Sequence, residues 1–464
     1  MKKIITFLLC LVSLLVSNLK AQDITGDWNG VLEVMGAQLT LVFHIQETDS
    51  GYSATFDSPD QGAMGIPFTT VEYTDDKLIL RAANIWAFYE GVPASDSIAG
   101  TWSQGGQSFD LKMYRKGVEK RARLRPQEPE RPYPYYDEDV TFENREDSLN
   151  FAGTLTLPEK SGLFPAVILI SGSGPQNRDE EVFGHKPFLV LADHLTRQGI
   201  AVLRYDDRGT AESTGNFASA TSEDFANDVL SAIEYLKSLK EIDQNQIGLI
   251  GHSEGGLIAP MVVNRTDDVA FMVLLAGTGV PGKEISRMQM RTLLELEIPD
   301  REAYNLFIDR SIEIAASNKD LAVKRKELTQ HYKNSEEVLN NLLPEGTDID
   351  AFINQQVDGS LSPWSLFFFN HDPANELRKI TIPVLSLIGS NDVQVPPGMN
   401  HPPIRQALKE AGNRDFTIKE LIGLNHMFQE SETGSMMEYA EIEQTFSPIA
   451  LDEITRWIQD YIKK

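Results

Sequence analysis

Between residues 22 and about 115, apolar and polar side chains alternate with a period of two. Leu39, Leu41, Phe43 and Ile45 interleave with Thr40, Val42, His44 and Gln46. Tyr52, Ala54 and Phe56 repeat the pattern, as do Leu78 with Leu80 and Phe109 with Leu111 and Met113. Alternation of this kind puts successive side chains on opposite faces of a strand, so it predicts short, half-buried strands. Turn formers separate them at Asp49-Ser50-Gly51, Asp75-Asp76 and Gly105-Gly106. Residues 22–116 therefore read as a small all-β domain. Pro126, Pro129, Pro132 and Pro134, set among charged residues, make 117–138 a linker in which neither helix nor sheet persists.

Beyond residue 139 the grammar changes. Val140 to Phe142 and Leu149 to Leu157 suit an antiparallel pair. Then Ala166 to Ile170, Ile200 to Arg204, Gln246 to Ile250 and Val269 to Ala276 form short apolar runs. Amphipathic stretches at Phe188 to Gln198 and Ser222 to Leu239 alternate with them, the second behind a capping-box start at Thr221. Strands buried on both faces and alternating with helices predict an α/β architecture, a mostly parallel sheet covered by helices, over 139–464. Residues 283–378 interrupt the rhythm with charged helical segments carrying Trp364 and Phe367-Phe368-Phe369, an insertion placed to cap a site. Strand patterns resume at Val384 to Ile388 and Phe416 to Leu421, and a helix from Pro448 closes the chain.

Composition narrows the possibilities. The 464 residues carry 68 acidic against 42 basic side chains, a formal charge of −26. A nucleic-acid binder or a protein adhering to anionic lipid needs clustered Lys and Arg, so this charge argues against both. Lys2 and Lys3, the apolar run Ile4 to Val16 and Ala21 before Gln22 make 1–21 an export signal peptide. That run is shorter than the roughly 20 residues a membrane span needs, so no membrane insertion is expected after cleavage. Cys10, the only cysteine, sits inside it. The mature chain then has no disulfide, thiol nucleophile or cysteine metal site, which suits a periplasmic or extracellular protein of bacterial type.

Gly251-His252-Ser253-Glu254-Gly255-Gly256 follows the strand Gln246 to Ile250 and precedes the helix-compatible Leu257 to Val263. Gly-x-Ser-x-Gly at a strand-to-helix turn is a nucleophile elbow, in which small flanking residues let the serine hydroxyl project from the sheet. A serine needs an adjacent base, itself oriented by a carboxylate, and in such folds the order is Ser, acid, His. Asp392 stands just past Val384 to Ile388, whereas Glu420 lies within a strand. His426 follows the last strand, and His401 belongs to a proline-flanked stretch expected to be a loop. The candidate triad is Ser253, Asp392 and His426. His252 is fixed by the elbow and reads as structural or pocket-lining. The backbone N–H of Glu254 is one candidate oxyanion donor. The second should come from Ser171-Gly172-Ser173-Gly174, with Ser173 the choice and Gly174 the alternative. His44, His185, His194, His331 and His371 show no metal-ligand spacing, and neither metal nor cofactor is implied.

With these motifs the region from about 140 to the end resembles the α/β-hydrolase superfamily. It is most similar to secreted bacterial carboxylesterases related to the S9 peptidase and dienelactone-hydrolase branches, which pair an N-terminal β domain with a capped catalytic domain. Ser253, Asp392 and His426 match that family's triad. Arg204-Tyr205-Asp206-Asp207-Arg208-Gly209, with Ser213 and Gly215, matches its loop after the fourth strand, where the Asp-Arg pair is chiefly structural. Ser171-Gly172 stands where many members have His-Gly. In the β domain, Gly26-Asp27-Trp28-Asn29-Gly30 and Gly100-Thr101-Trp102 resemble the Gly-x-Trp entries of lipocalin-like barrels.

The resemblance implies hydrolysis of a small-molecule carboxylic ester through an acyl-enzyme. A serine peptidase or acyltransferase on the same triad is the alternative within enzymes, and a non-catalytic ligand-binding protein the alternative outside them. The residues before the catalytic domain are too few for the propeller of prolyl oligopeptidases. The sequence sets neither the acyl and alcohol groups nor the oligomeric state.

Overall fold

The computed structural model describes residues 22–463, apart from 35–36, 49–50, 62, 75–76, 83–84, 86, 105–106, 118–124, 293–297, 299 and 344–348. The expected export signal at 1–21 lies outside the described residues, as does part of the proline-rich stretch, at 118–124.

The first sheet is an antiparallel meander. It contains Gly26–Val34 (β1), Ala37–Thr48 (β2), Gly51–Ser58 (β3), Ala63–Pro67 (β4), Thr70–Thr74 (β5), Lys77–Ala82 (β6), Ala87–Ala94 (β7), Ser97–Gln104 (β8) and Gln107–Tyr114 (β9), in the order β4-β3-β2-β1-β9-β8-β7-β6-β5. β1 thus pairs with β9, at Asn29–Tyr114 and Gly30–Met113. The sheet curls into a barrel-like shape, and Phe68, between β4 and β5, donates its N–H to the Ala54 carbonyl on β3 at 2.9 Å. The alternating residues fill the interior: Phe43 meets Phe68 at 5.2 Å and Tyr89 at 5.1 Å, and Phe56 meets Trp102 at 5.5 Å between ring centres. Edge-to-face packing of this kind adds to the apolar burial that stabilises the barrel. The polar tips are satisfied as well, since the Trp28 indole donates to the Ile24 carbonyl at 2.8 Å and the Tyr89 hydroxyl to the Ile98 carbonyl at 3.1 Å.

The second sheet has Tyr136–Asn144 (β10), Leu149–Leu157 (β11), Phe164–Ile170 (β12), Ala201–Tyr205 (β13), Ile242–His252 (β14), Phe271–Leu275 (β15), Val384–Gly389 (β16) and Phe416–Leu421 (β17). Their order is β10-β11-β13-β12-β14-β15-β16-β17, antiparallel as far as β13 and parallel from there on. Three helices come early in this region: Pro187–Arg197 (α1), Ser222–Ser238 (α2) and Glu254–Val263 (α3). The insertion between β15 and β16 contains Gly282–Thr292 (α4), Arg301–Ala315 (α5), Leu321–Asn334 (α6), Glu336–Leu342 (α7), Ile349–Ser360 (α8), Pro363–Asn370 (α9) and Pro373–Leu377 (α10). Pro397–Glu410 (α11) and Pro448–Ile462 (α12) follow.

Leu191 and Leu195 of α1 share one apolar cluster with Ile454 and Ile458 of α12 on one face of the sheet. Val229, Ile233 and Leu236 of α2, with Leu257 and Val262 of α3, lie in a second cluster. That cluster continues into the insertion through Phe307, Phe352 and Phe368. The insertion is therefore packed as an extension of the core.

Two expectations fail here. β10 begins at Tyr136, inside the 117–138 stretch expected to hold no sheet, because Tyr136 to Glu138 already pair with β11, Tyr136 opposite Leu157. His401 lies in α11, not in a loop. Pro397 occupies a position at the helix start where no N–H is needed, and Pro402 and Pro403 fall within its first turns. Asn400 donates its side-chain amide to the Pro396 carbonyl at 3.0 Å. Burial of Ile404, Ala407 and Leu408 outweighs the hydrogen bonds the prolines forgo.

The residues joining the two sheets are tied to the second of them and its loops. Arg125 donates to the carbonyls of Phe183, at 3.1 Å, and Ile442, at 2.8 Å. The Gln127 side chain accepts from Thr445 N at 2.6 Å and donates to the Phe446 carbonyl at 2.7 Å.

Candidate active site

Ser253 sits between β14 and α3 with φ 53° and ψ −111°, a conformation a non-glycine residue adopts only when its surroundings impose it. The surroundings are the two glycines. A Cβ on Gly251 would lie 2.1 Å from the Gly255 carbonyl oxygen, and one on Gly255 would lie 2.1 Å from that of Ile170. The spacing of the motif is thus set by backbone packed against backbone, and the end of β12 is pressed onto the elbow. A Cβ on Gly172 would come within 3.3 Å of the Ser253 Cβ, so the 171–174 loop runs beside the serine.

Asp392 and His426 are brought together. Asp392 Oδ1 accepts from Gln394 N at 2.9 Å and Val395 N at 2.7 Å, and its Oδ2 lies 2.8 Å from His426 Nδ1. Both side chains are buried. A carboxylate can only accept, so Nδ1 of His426 carries a proton and, in the neutral ring, Nε2 is the free base. The other candidates stand apart. Glu420 is exposed on β17. The His401 imidazole lies on α11, and burial, with Arg405 nearby, pushes its pKa down to about 4.

His252 does not line the pocket freely. Its buried ring lies 4.9 Å from that of His426, with Nε2 3.0 Å from the His426 carbonyl and Nδ1 2.8 Å from Glu180 Oε1. The Glu254 side chain turns away from the nucleophile and accepts from Ser222 Oγ at 2.6 Å and from the Trp364 indole at 2.8 Å. Burial raises the pKa of that carboxyl above the usual range. Trp364 therefore ties α9 of the insertion to the elbow, stacked 4.8 Å over Phe368.

The loop that would supply the second oxyanion donor is held from below. Ser171 Oγ donates to Asp207 at 2.7 Å, Gln176 N to the same carboxyl at 3.0 Å, and Gly172 N to Glu180 at 2.7 Å. Gly172 N is thus already engaged, and Ser173 follows it on the exposed side of the loop. Arg178 clamps Asp206, with contacts at 3.1 and 2.6 Å, and Arg208 clamps Asp228, at 2.7 and 2.6 Å. The Arg204 to Gly209 motif is in this way a scaffold under the loop. Glu180 escaped the sequence reading because Arg178-Asp179-Glu180-Glu181 has the look of a solvated charge run. Among the described residues, no group of three or more His, Cys, Asp or Glu side chains is placed to hold a metal ion.

A sheet of this order, with an elbow after its fifth strand, defines an α/β-hydrolase. The family described as serine aminopeptidase, S33 (Hydrolase_4) matches residues 186–433, a little over half of the chain, and the chain belongs to that family of hydrolases. Esterase EstD of Thermotoga maritima is 27% identical over 332 residues, which span 70% of this chain and 69% of that protein. Among solved structures, the Pyrococcus furiosus esterase Pf2001 aligns at 14% identity and a TM-score of 0.43, covering 74% of this chain and 98% of that one. Est1E from Butyrivibrio proteoclasticus, solved with ferulic acid bound, aligns at 16% identity and a TM-score of 0.42, over 70% of this chain and all (100%) of that one.

Proposed function

We propose that the protein is an exported carboxylesterase that works through an acyl-enzyme on Ser253. The observation that carries this reading is the 2.8 Å contact of His426 Nδ1 with a buried Asp392, in a chain whose elbow serine adjoins His252, itself bonded to the His426 carbonyl. Ser253 Oγ attacks the ester carbonyl carbon while His426 Nε2 takes its proton. The oxygen that gains the charge accepts from the N–H groups of Glu254 and Ser173. The bond to the alkoxy oxygen then breaks, and His426 returns the proton to the departing alcohol. Water repeats the attack on the acyl-enzyme and releases the acid. Asp392 stabilises the imidazolium at each stage. The relationship to Esterase EstD favours esters, and the family's description as a serine aminopeptidase favours a second reading, cleavage of an amino-terminal peptide bond.

The test is to treat the mature chain and Ser253→Ala with a fluorophosphonate, weigh both, and then offer p-nitrophenyl esters and aminoacyl anilides. An adduct on the parent alone, with turnover of esters over anilides, is expected. Preferential anilide turnover would establish the peptidase instead. A folded parent that neither labels nor turns over either substrate would sink both readings. Export is tested by expressing the full chain in a bacterium and sequencing the amino terminus of the periplasmic or secreted protein, which should begin at Gln22.

A further inference from the structure

Three loops that must keep register for the proposed chemistry meet at one pair of side chains. Glu180 Oε1 lies 2.7 Å from Gly172 N, on the oxyanion loop, and 2.8 Å from Nδ1 of His252, on the elbow. His252 Nε2 lies 3.0 Å from the carbonyl of His426, on the base loop. The side chains are 4% and 7% exposed, respectively. A carbonyl and a carboxylate both accept only, so with Glu180 ionised both ring nitrogens of His252 donate and the ring is an imidazolium. His252 consequently has no free nitrogen with which to serve as the base. A buried ion pair of this kind costs desolvation and is weak as a source of stability, so its place beside the nucleophile points to geometry.

Glu180 is itself held at both ends of a short segment. It has φ 51°, and Phe183, three residues on, also has φ 51°, which is unusual for a bulky residue. The Phe183 ring packs against the apolar interior of the barrel and meets Tyr439 at 5.7 Å. Its N–H donates to the Asp60 carbonyl at 2.7 Å, and its carbonyl accepts from Arg125 at 3.1 Å. Tyr439 in turn accepts at its hydroxyl from Gln394 at 2.8 Å, and Gln394 N donates to Asp392.

We infer that Glu180 is a positioning residue, which with His252 sets the spacing of the oxyanion loop against the base loop, and that the β barrel, through Phe183, holds Glu180 in place. This rests on the acyl-enzyme reading and gives the barrel a part in it. Such a brace acts on the transition state, since the N–H groups it aligns face charge that exists only there.

The variants are Glu180→Gln, His252→Gln, the double variant and Phe183→Ala, read by ester kinetics, by affinity for an arylboronic acid and by thermal unfolding. Each single change at Glu180 or His252 should lower kcat by roughly 10–100-fold, the cost of misplacing catalytic groups by about an ångström, with KM within about twofold. Boronate affinity should fall with kcat, and the double variant should be no worse than the poorer single one. Phe183→Ala should move kcat the same way by less. Should the Glu180 variants fail to fold, Phe183→Ala carries the test from the barrel side. An active parent whose variants keep kcat, or lose only KM, overturns the brace. A parent that neither turns over esters nor takes the fluorophosphonate overturns the acyl-enzyme reading instead.

Discussion

The barrel interior and the surroundings of Ser253 in the hydrolase domain bury different kinds of side chain. Within β1–β9, Ser58 is the single buried polar residue among the described residues, and the interior is Trp28, Phe43, Phe56, Tyr89, Trp102 and aliphatics. The hydrolase domain buries Glu180, His252, Glu254, Asp392 and His426 around one serine, and Asp206, Arg208 and Asp228 beneath the adjoining loop. An apolar interior gains from nearly every atom taken out of water. A cluster of charges gains only where each is paired, and it persists because fixed dipoles are worth most in a dry site. The difference separates two tasks. The barrel's own packing makes it stable, whereas the polar site needs the rest of the fold to hold it together.

Ser253→Ala should bring the largest change. Turnover should fall by at least about 10⁴-fold while thermal stability stays the same or rises, because the strained elbow loses only a hydroxyl. Asp392→Asn should approach that loss by removing the acceptor that fixes the His426 tautomer. Steady-state ester kinetics beside thermal unfolding checks both, and an Asp392→Asn enzyme at parental kcat would break the contrast drawn above.

A change of comparable burial in the barrel should do the reverse. Leu80 on β6 is fully buried, and Leu80→Ala should lower the barrel's stability by about 2–5 kcal/mol through lost contacts and an unfilled cavity. Below the unfolding transition kcat should remain within about twofold of the parent. Denaturant titration followed by tryptophan fluorescence, paired with kinetics at low denaturant, decides it. A kcat that fell while the barrel was still folded would mean that the division of labour is wrong.

What could be read from the sequence follows the same division. The alternation at Leu39 to Ile45 showed the barrel strands because a two-residue period has one reading once turns bound it. Gly251 and Gly255 advertised the elbow because the close backbone approaches there admit no side chain. Asp392 and His426 could be named from their places after β16 and β17, and the structure puts their side chains in contact. Glu180 could not, since a carboxylate in a charged run becomes a buried partner only when the 177–183 turn carries it to His252, 72 residues further along. Trp364 read only as one of the aromatics of the helical insertion, and its indole N–H is bound to Glu254 across 110 residues. Propensity also misled at His401, where local proline signals lost to the burial of Ile404 and Leu408.

Glu254 offers the smallest effect and the sharpest view of what the polar site costs. Its carboxyl oxygen accepts from both Ser222 and Trp364, and a glutamine could accept from both in the same way, so Glu254→Gln removes the charge and keeps the contacts. Burial raises the folded-state pKa above the ordinary 4.5, against which the two hydrogen bonds work only partly. Between that ordinary value and the raised one, the folded chain binds more protons here than the unfolded chain, so rising pH subtracts stability. The parent should therefore lose ground to Glu254→Gln as pH climbs from about 4.5 toward neutrality, and the gap should then level off. Unfolding midpoints of the two proteins across pH 4 to 8 should diverge by about 1–2 °C in favour of the glutamine. Divergence in the opposite direction would mean that the ionised carboxylate stabilises the link to Trp364, and that this part of the polar site supports the fold as the barrel does.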